Sequence, residues 1–356
     1  MMSITATQGP LNTLLDHFAA ARQVPSFPSA VVETGAATAA DADAGETIRS
    51  LVDDLQIHDF QSRLAHFRQS VSAFTEGGAQ ISGTVGPSGV SEVNIVLKSG
   101  ESVSFADLPG NVRFSDTGDG GIEVVTDEFV RIYDLHGRLV SESAGGAPLE
   151  GSDSGDVIFN ITGAQVNANG GNDTIFTMPG TVNIDAGDGD DRVYVLDGPG
   201  GGNTLSISLG AGNDSFRFLG AEASPTGHTL YVNGGDGDDT IMLNRGVAGG
   251  RIDAGNGDDS ILSSELLLNL HILGGSGNDR ISLEGLANGS VDARDGSDTV
   301  SIDSMFASSV LRGAHSSTGI KNEYAGDIRI FARDSAGRWA PSGGTIDGRP
   351  QISVEV

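Results

Sequence analysis

The sequence has no cysteine, few aromatic residues and almost no lysine. The absence of cysteine excludes disulfides, thiolate metal sites and cysteine nucleophiles. Aromatic residues make up only 5% of the chain, whereas 53 of its 356 residues are glycine, a composition that argues against a conventionally packed globule. Because the only lysines are Lys98 and Lys321, no phosphate-binding loop of the Gly-x-x-x-x-Gly-Lys-Ser/Thr type is present.

Positive charge is also scarce, and the formal net charge is −28. A chain this acidic repels phosphate backbones and attracts cations, so we expect no nucleic-acid partner. It has no run of about 18 apolar residues, so no transmembrane segment is expected. The N-terminus lacks the basic and apolar regions of a secretory signal peptide, so we expect any export to proceed without a cleaved N-terminal signal.

Changes in composition and hydrophobic period divide the chain into five regions. From Glu46 to Phe74 apolar residues recur at spacings of three or four, which predicts a helix that Gly77-Gly78 would end. Alternating apolar residues such as Val93, Ile95 and Leu97 then predict strands. The expected regions are a flexible segment with a short helix at 1–45, a helical cap at 46–78, a β-rich lead-in at 79–150, a repetitive region at 151–303 and a C-terminal β cap at 304–356.

The repetitive region is built on Gly-x-Asp, which occurs seven times at spacings of 18 to 25 residues. Self-similarity of this kind indicates a repeat architecture. The glycines are Gly171, Gly189, Gly212, Gly237, Gly257, Gly277 and Gly296, and the aspartates are Asp173, Asp191, Asp214, Asp239, Asp259, Asp279 and Asp298.

Apolar residues flank each Gly-x-Asp at fixed distances. The residue seven before each aspartate is Val or Ile, and the residue two after it is Ile, Val or Phe. Each repeat therefore reads as a strand, an acidic turn, a second strand and a return of variable length. A unit of about 20 residues cannot bury its own apolar face, so neighbouring units are predicted to stack as a parallel β-solenoid.

The turn chemistry favours calcium. Glycine lets carbonyl oxygens point inward, and aspartate adds a hard anionic oxygen. Ca²⁺ takes six to eight oxygen ligands, whereas an oxygen-only site does not suit zinc or copper. The alternative is that these aspartates only cap and solvate turns. Plain turn chemistry does not require seven copies at one distance from a strand.

Two of the turns, Gly234–Ile241 and Gly274–Ile281, resemble the hemolysin-type calcium-binding nonapeptide Gly-Gly-x-Gly-x-Asp-x-apolar-x of RTX proteins. The resemblance covers about residues 151–300. It implies an all-β, right-handed parallel β-solenoid, of the β-roll or β-helix kind, in addition to the predicted α-helical N-terminal cap. It also implies several Ca²⁺ ions between successive turns, held by the side chains of Asp173, Asp191, Asp214, Asp239, Asp259, Asp279 and Asp298 and by carbonyls of turn residues including Gly171, Gly189, Gly212, Gly237, Gly257 and Gly277.

The chain departs from the family pattern in two ways. One motif occurs per roughly 20 residues rather than per nine, so we expect only one edge of the solenoid to carry calcium. The leading glycine pair is also eroded in five turns, and Gly151–Asp156 reads as a degenerate first turn. Sites at the two ends are therefore expected to be weaker than those in the middle.

These features favour a secreted bacterial protein that folds or is stabilised on binding Ca²⁺ and acts as a structural, adhesive or effector module with a host-surface or carbohydrate partner. The C-terminal Gln351–Val356 has a mild similarity to type I secretion tails, whereas the Ser/Thr/Ala-rich start resembles type III effectors. The alternative is a polysaccharide lyase or epimerase on a parallel β-helix, although no catalytic residue stands out. Basic and acidic side chains clustered on one outer face would favour the enzyme.

Overall fold

The computed structural model describes residues 68–178, 180, 182–196, 202–219, 227–244, 246–306 and 309–313, together with short strand segments that extend to residue 351. Within these residues the regular elements are β-strands, and none is an α-helix. The all-β class predicted from the sequence is confirmed for this part of the chain. Residues 1–67, which include the predicted short helix and most of the predicted helical cap, lie outside it.

Eight antiparallel strands precede the repeats. The first four form one sheet, in the order of the chain: β1 (Gln69–Phe74), β2 (Gln80–Gly86), β3 (Gly89–Val96) and β4 (Ser102–Pro109). The next four form a meander: β5 (Val112–Asp116), β6 (Ile122–Thr126), β7 (Phe129–Tyr133) and β8 (Leu139–Ala144). We call β1–β8 the lead-in module.

The helix predicted to run to Phe74 is wrong over its last residues, because Gln69–Phe74 is the strand β1. Burial along this strand alternates, and Phe74 is 61% exposed where a helical stripe would bury it. The spacing of Val71 and Phe74 fits a helix, but in the strand Val71 and Ala73 lie on the covered face and Phe74 on the exposed one. Gly77-Gly78 turns a hairpin between β1 and β2, with Gly78 at φ +94°.

The repeats form a parallel β-solenoid of about seven coils. In each coil one strand leads into the acidic turn and another leaves it. The strands before the turns stack as the pre-turn sheet: β10 (Gln165–Asn167), β12 (Val182–Asp188), β14 (Thr204–Ala211), β16 (His228–Asp236), β18 (Val247–Asn256), β20 (Leu270–Ser276), β22 (Ser290–Asp295) and β24 (Val310–Gly313).

The strands after the turns stack in the same way and form the post-turn sheet. They are β9 (Val157–Asn160), β11 (Thr174–Thr177), β13 (Arg192–Val195), β15 (Ser215–Phe218), β17 (Thr240–Leu243), β19 (Ser260–Leu268), β21 (Arg280–Ala287) and β23 (Thr299–Phe306). Beyond the repeats lie six short strands: β25 (Thr318–Ile320), β26 (Tyr324–Ala325), β27 (Arg329–Arg333), β28 (Trp339–Pro341), β29 (Gly344–Ile346) and β30 (Arg349–Gln351).

The register places equivalent residues of successive coils side by side. Ile184 pairs with Ile207 in the pre-turn sheet, and Val193 pairs with Phe216 in the post-turn sheet. The apolar residues at the two fixed positions around each turn are at most 3% exposed and belong to one continuous core, as predicted. They are Val166, Ile184, Ile207, Val232, Ile252, Ile272 and Val291 before the turns and Ile175, Val193, Phe216, Ile241, Ile261, Ile281 and Val300 after them.

The lead-in module covers the first coils from outside. Strand β5 pairs antiparallel with β9, so the meander extends the post-turn sheet and closes its first edge. An aromatic column continues along the outer face of that sheet. Phe114 meets Phe159 edge to face at 5.9 Å, Phe159 stacks on Phe176 at 5.1 Å, and Phe176 stacks on Tyr194 at 5.1 Å. The first three coils are therefore packed on two sides.

We expect Phe159→Ala to lower the free energy of unfolding by about 3 to 5 kcal/mol, because the ring is 1% exposed and packs between two others. Guanidinium denaturation at fixed Ca²⁺ concentration measures the loss. Val140→Ala, at a side chain that is 65% exposed, serves as the control and should change stability by less than about 0.5 kcal/mol. Equal losses in the two variants would contradict the packing described.

Candidate metal centre

Each acidic turn depends on the glycine of its Gly-x-Asp motif, since in all seven turns this residue has a φ between +96° and +143°. In the turn ending at Asp239, Gly235 and Gly237 have φ values of +116° and +124°, which other residues rarely adopt. A Cβ added at Gly237 would lie 2.0 Å from the carbonyl oxygen of Gly212, its equivalent one coil earlier. The glycines thus let successive turns stack with their carbonyl oxygens facing the next coil.

The seven motif aspartates form a buried ladder along the turn edge. Each is at most 2% exposed. The backbone N–H of each of the first six donates to Oδ1 of the motif aspartate one coil later, as from Asp191 to Asp214 at 2.7 Å and from Asp239 to Asp259 at 2.8 Å. The same bond recurs from Asp156 to Asp173, Asp173 to Asp191, Asp214 to Asp239, Asp259 to Asp279 and Asp279 to Asp298, at 2.6 to 3.0 Å.

The second carboxylate oxygen of each rung is buried and lacks a protein donor in six of the seven motif aspartates, as far as the described residues reach. These oxygens are Oδ2 of Asp173, Asp191, Asp214, Asp239, Asp259 and Asp279. A buried carboxylate oxygen without a partner carries a large desolvation cost. A cation beside the ladder would remove that cost, which is the strongest structural sign that the turns suit a metal ion.

Burial shifts the ionisation of these carboxyls strongly. Loss of hydration is the main cause in each, the N–H bond from the preceding coil opposes it, and neighbouring carboxylates add to it. The pKa values rise to about 9 for Asp173, about 7 for Asp191, Asp239 and Asp259, and about 6 for Asp214 and Asp279. Without a cation, Asp173 therefore keeps its proton at neutral pH, Asp191, Asp239 and Asp259 are about half protonated, and Asp214 and Asp279 are mostly ionised, so the empty ladder still carries buried negative charge.

A second ladder lies on the exposed side of the turns, and our sequence analysis did not identify it. The residue before each motif aspartate uses its side-chain oxygen to accept the N–H of its equivalent one coil later, as from Asp258 to Asp238 at 2.7 Å. The signal was visible in the sequence, because only Asn, Asp or Ser occupies this position. The members are Asn172, Asp190, Asn213, Asp238, Asp258, Asn278 and Ser297.

The leading glycine pair sets the space beside the unpaired oxygen. A Cβ added at Gly234 would lie 2.4 Å from Oδ2 of Asp239, and one at Gly274 would lie 2.4 Å from Oδ2 of Asp279. The other five coils have a buried side chain here, namely Ala168, Ala186, Leu209, Ala254 and Ala293. In the two coils with an intact glycine pair, the Oδ2 atom therefore lies closer to the backbone than a side chain at that position would allow.

The first turn has a protein cation in place of a metal. Oδ2 of Asp156 accepts the N–H of Ser152 at 2.7 Å and lies 3.8 Å from the Arg113 guanidinium. Burial raises the pKa of Asp156, and Ser115, Ser152 and Arg113 oppose that rise. The prediction that Gly151–Asp156 is a degenerate turn agrees with this arrangement, because its carboxylate already has partners within the chain.

The fold and this edge together define a parallel β-solenoid with an acidic, oxygen-rich face. A family model for the RTX calcium-binding nonapeptide repeat matches four copies within residues 167–199, 231–247 and 271–285. The chain thus carries RTX calcium-binding repeats. Comparisons with curated proteins and with solved structures gave no match.

The matched segments contain the turns of Asp173, Asp191, Asp239 and Asp279. The turns of Asp214, Asp259 and Asp298 lie outside them, yet all seven aspartates occupy one ladder. No three His, Asp or Glu side chains converge as a metal cage in the described part of the chain. A bound Ca²⁺ would therefore take turn carbonyls or water in addition to the aspartate Oδ2 atoms.

No described helix is long and apolar enough to cross a membrane.

We expect Gly257→Ala to destabilise the solenoid strongly, since the added Cβ would lie 2.2 Å from the Gly237 carbonyl oxygen at φ +130°. Gly78→Ala is the matched control: its φ is +94°, but nothing lies within 4 Å of the added atom. The control should cost only the backbone strain of about 1 to 2 kcal/mol. Thermal unfolding in Ca²⁺ compares the two, and a Gly257→Ala loss no larger than that of the control would contradict close stacking of the turns.

The calcium-free protein should lose stability as pH rises from about 4 to about 9. The folded state holds protons on carboxyls whose pKa values are raised, whereas the unfolded chain releases them near the ordinary value, so the unfolded state binds fewer protons in this window. Denaturation in chelator across this range measures the slope.

The fall in net charge at low pH acts in the same direction, so a matched pair of variants is needed. Asp191→Asn should reduce the slope, because it removes a buried titrating group. Asp190→Asn removes the same charge from the exposed neighbour; burial is the main cause of the raised pKa values of Asp191 and Asp214 and repulsion by Asp190 a lesser one, so this variant should reduce the slope less than Asp191→Asn does. Two variants with the same slope would show that general repulsion, rather than the buried ladder, governs the pH dependence.

Proposed function

We propose that this chain is a secreted bacterial protein whose solenoid folds, or is strongly stabilised, when Ca²⁺ ions bind along the aspartate ladder. The single observation that carries the proposal is the row of buried carboxylates in which one oxygen of each of six rungs has no protein donor. Binding to the folded state alone stabilises it by mass action. The ladder's buried charge opposes folding until the ions arrive.

This mechanism links folding to location. Calcium is scarce inside cells and abundant outside them, so the chain would leave the cell loosely structured and fold after export. Such a module serves a structural, adhesive or effector role rather than catalysis. Its ions are those implied by the repeats, and the best-formed sites are expected at the turns of Asp239 and Asp279, which keep the leading glycine pair of the nonapeptide.

Circular dichroism during a Ca²⁺ titration tests the proposal, with Mg²⁺ as the control and chelator to reverse it. We expect a cooperative gain of β signal that Mg²⁺ does not produce, because Mg²⁺ demands a small octahedral site and loses water reluctantly. A spectrum that is β-rich in chelator and unchanged by Ca²⁺ would overturn the folding switch.

The same titration on two variants locates the effect. In Asp239→Asn the Oδ1 atom still accepts the Asp214 N–H, but the buried charge is lost. This variant should be more stable than wild type in chelator and less stable in Ca²⁺. Asp238→Asn removes an adjacent exposed charge and keeps its acceptor oxygen, as Asn213 and Asn278 do in other coils, so it should change stability in both conditions much less than Asp239→Asn does.

The alternative of a carbohydrate-active enzyme depends on basic and acidic side chains clustered on an outer face. Arg251, Asp253 and Arg294 form such a cluster on the pre-turn sheet. Both guanidinium groups face the one carboxylate, at 2.6 and 3.5 Å, and an arginine held in this way keeps its proton. Neither arginine can therefore abstract a sugar proton, and the one carboxylate of the cluster, that of Asp253, is paired with both of them, so the non-enzymatic module remains our proposal.

A further inference from the structure

The outer faces of the two solenoid sheets differ in polarity. The post-turn sheet carries an apolar column in its first coils, which the lead-in module covers. The pre-turn sheet has an outer face of polar side chains that contribute to neither of the two hydrophobic clusters. On this face lies a groove of about 380 Å³, a volume within the usual range of small-ligand sites.

The groove arises from the order of side chains across four neighbouring strands. Asn183 of β12, Ser206 of β14, Tyr231 of β16 and Arg251 of β18 lie side by side in register. Asp185 and Ser208 line the next row. The small serines on β14 form the floor between the larger side chains of β12 and β16. The depression therefore follows from the sequence of these coils rather than from the solenoid fold in general.

Tyr231 is the unusual member of this set. It is 48% exposed, and among the described residues of the solenoid it is the only large hydrophobic side chain that is exposed. An aromatic ring that is exposed on a polar face keeps its apolar surface in contact with water and contributes nothing to the core. Beside it, Arg251 is held in place by its 2.6 Å contact with Asp253, so its remaining N–H groups have a fixed direction.

We propose that this groove binds a neutral hexopyranose glycan. A pyranose presents an apolar C–H face to an aromatic ring and a rim of hydroxyls that need both donors and acceptors. Tyr231 offers the ring, Asn183 and the serines offer both functions, Asp185 accepts and Arg251 donates. The two carboxylates of the groove, against one guanidinium, and the net charge of −28 repel uronate polymers. Glycan binding requires that the solenoid be folded. It does not require that Ca²⁺ binding causes the folding.

Titration calorimetry on the full chain in Ca²⁺ tests the proposal. The probes are hexasaccharides of glucose, mannose, galactose and N-acetylglucosamine, with hexagalacturonate as the charged comparison. We expect at least one neutral hexamer to bind and hexagalacturonate to bind more weakly. Tyr231→Ala should weaken binding at least tenfold, and Tyr231→Phe should retain it, because the ring face carries the contact.

His271→Ala is the matched control. His271 is exposed on the same outer face, where it contacts Ser290, and it lies outside the groove, so its replacement should not change the affinity. Circular dichroism of each variant establishes that it is folded. The inference is overturned if no neutral hexamer binds the folded chain, if Tyr231→Ala binds as wild type does, or if hexagalacturonate binds as tightly as the neutral hexamers. A chain that folds without Ca²⁺ and still binds glycan would overturn the calcium switch and leave this inference standing.

Discussion

The structure depends on one repeated bond, in which a buried aspartate accepts the backbone N–H of the aspartate one coil earlier. This bond fixes the height of each turn and, through the turn, the register of both sheets. It also holds the carboxylate in a buried position, where in six of the seven motif aspartates the second oxygen has no donor among the described residues. Stacking and metal affinity are therefore consequences of the same side chain, and the turns cannot gain one without the other.

The rest of the molecule adjusts to this edge. The lead-in module packs its aromatic side chains over the first coils and supplies Arg113 to the first turn, so that end is neutralised within the protein. The middle coils have no such support among the described residues and rely on their apolar core and on the turns. Away from the acidic edge, the pre-turn sheet leaves its outer face free to vary, and a groove can form there without disturbing the ladder.

Much of this was predictable from the sequence, because the solenoid positions obey strict spacing. The core residues and the seven motif aspartates follow directly from the alternation around Gly-x-Asp. Strand β1 was not predictable in the same way, since the spacing of Val71 and Phe74 fits a helix, whereas the strand leaves Phe74 exposed on the face opposite Val71. The pairing of Arg113 with Asp156 joins residues far apart in the sequence, and no local pattern indicates it. The exposed ladder could also have been predicted, because only Asn, Asp or Ser occupies its position, but the adjacent Gly-x-Asp motif already explained the polar character of the turns.

The direction of the buried bond has a consequence for a chain that emerges progressively. Each coil offers its amide forward to a carboxylate that belongs to its successor, so a coil is locked only once the following one is in place. The exposed ladder runs the other way, with each new amide reaching back to an oxygen already positioned. The last coil of a growing solenoid is thus bonded to its predecessor through the exposed ladder. The buried amide of that coil still lacks its carboxylate acceptor, which the next repeat supplies.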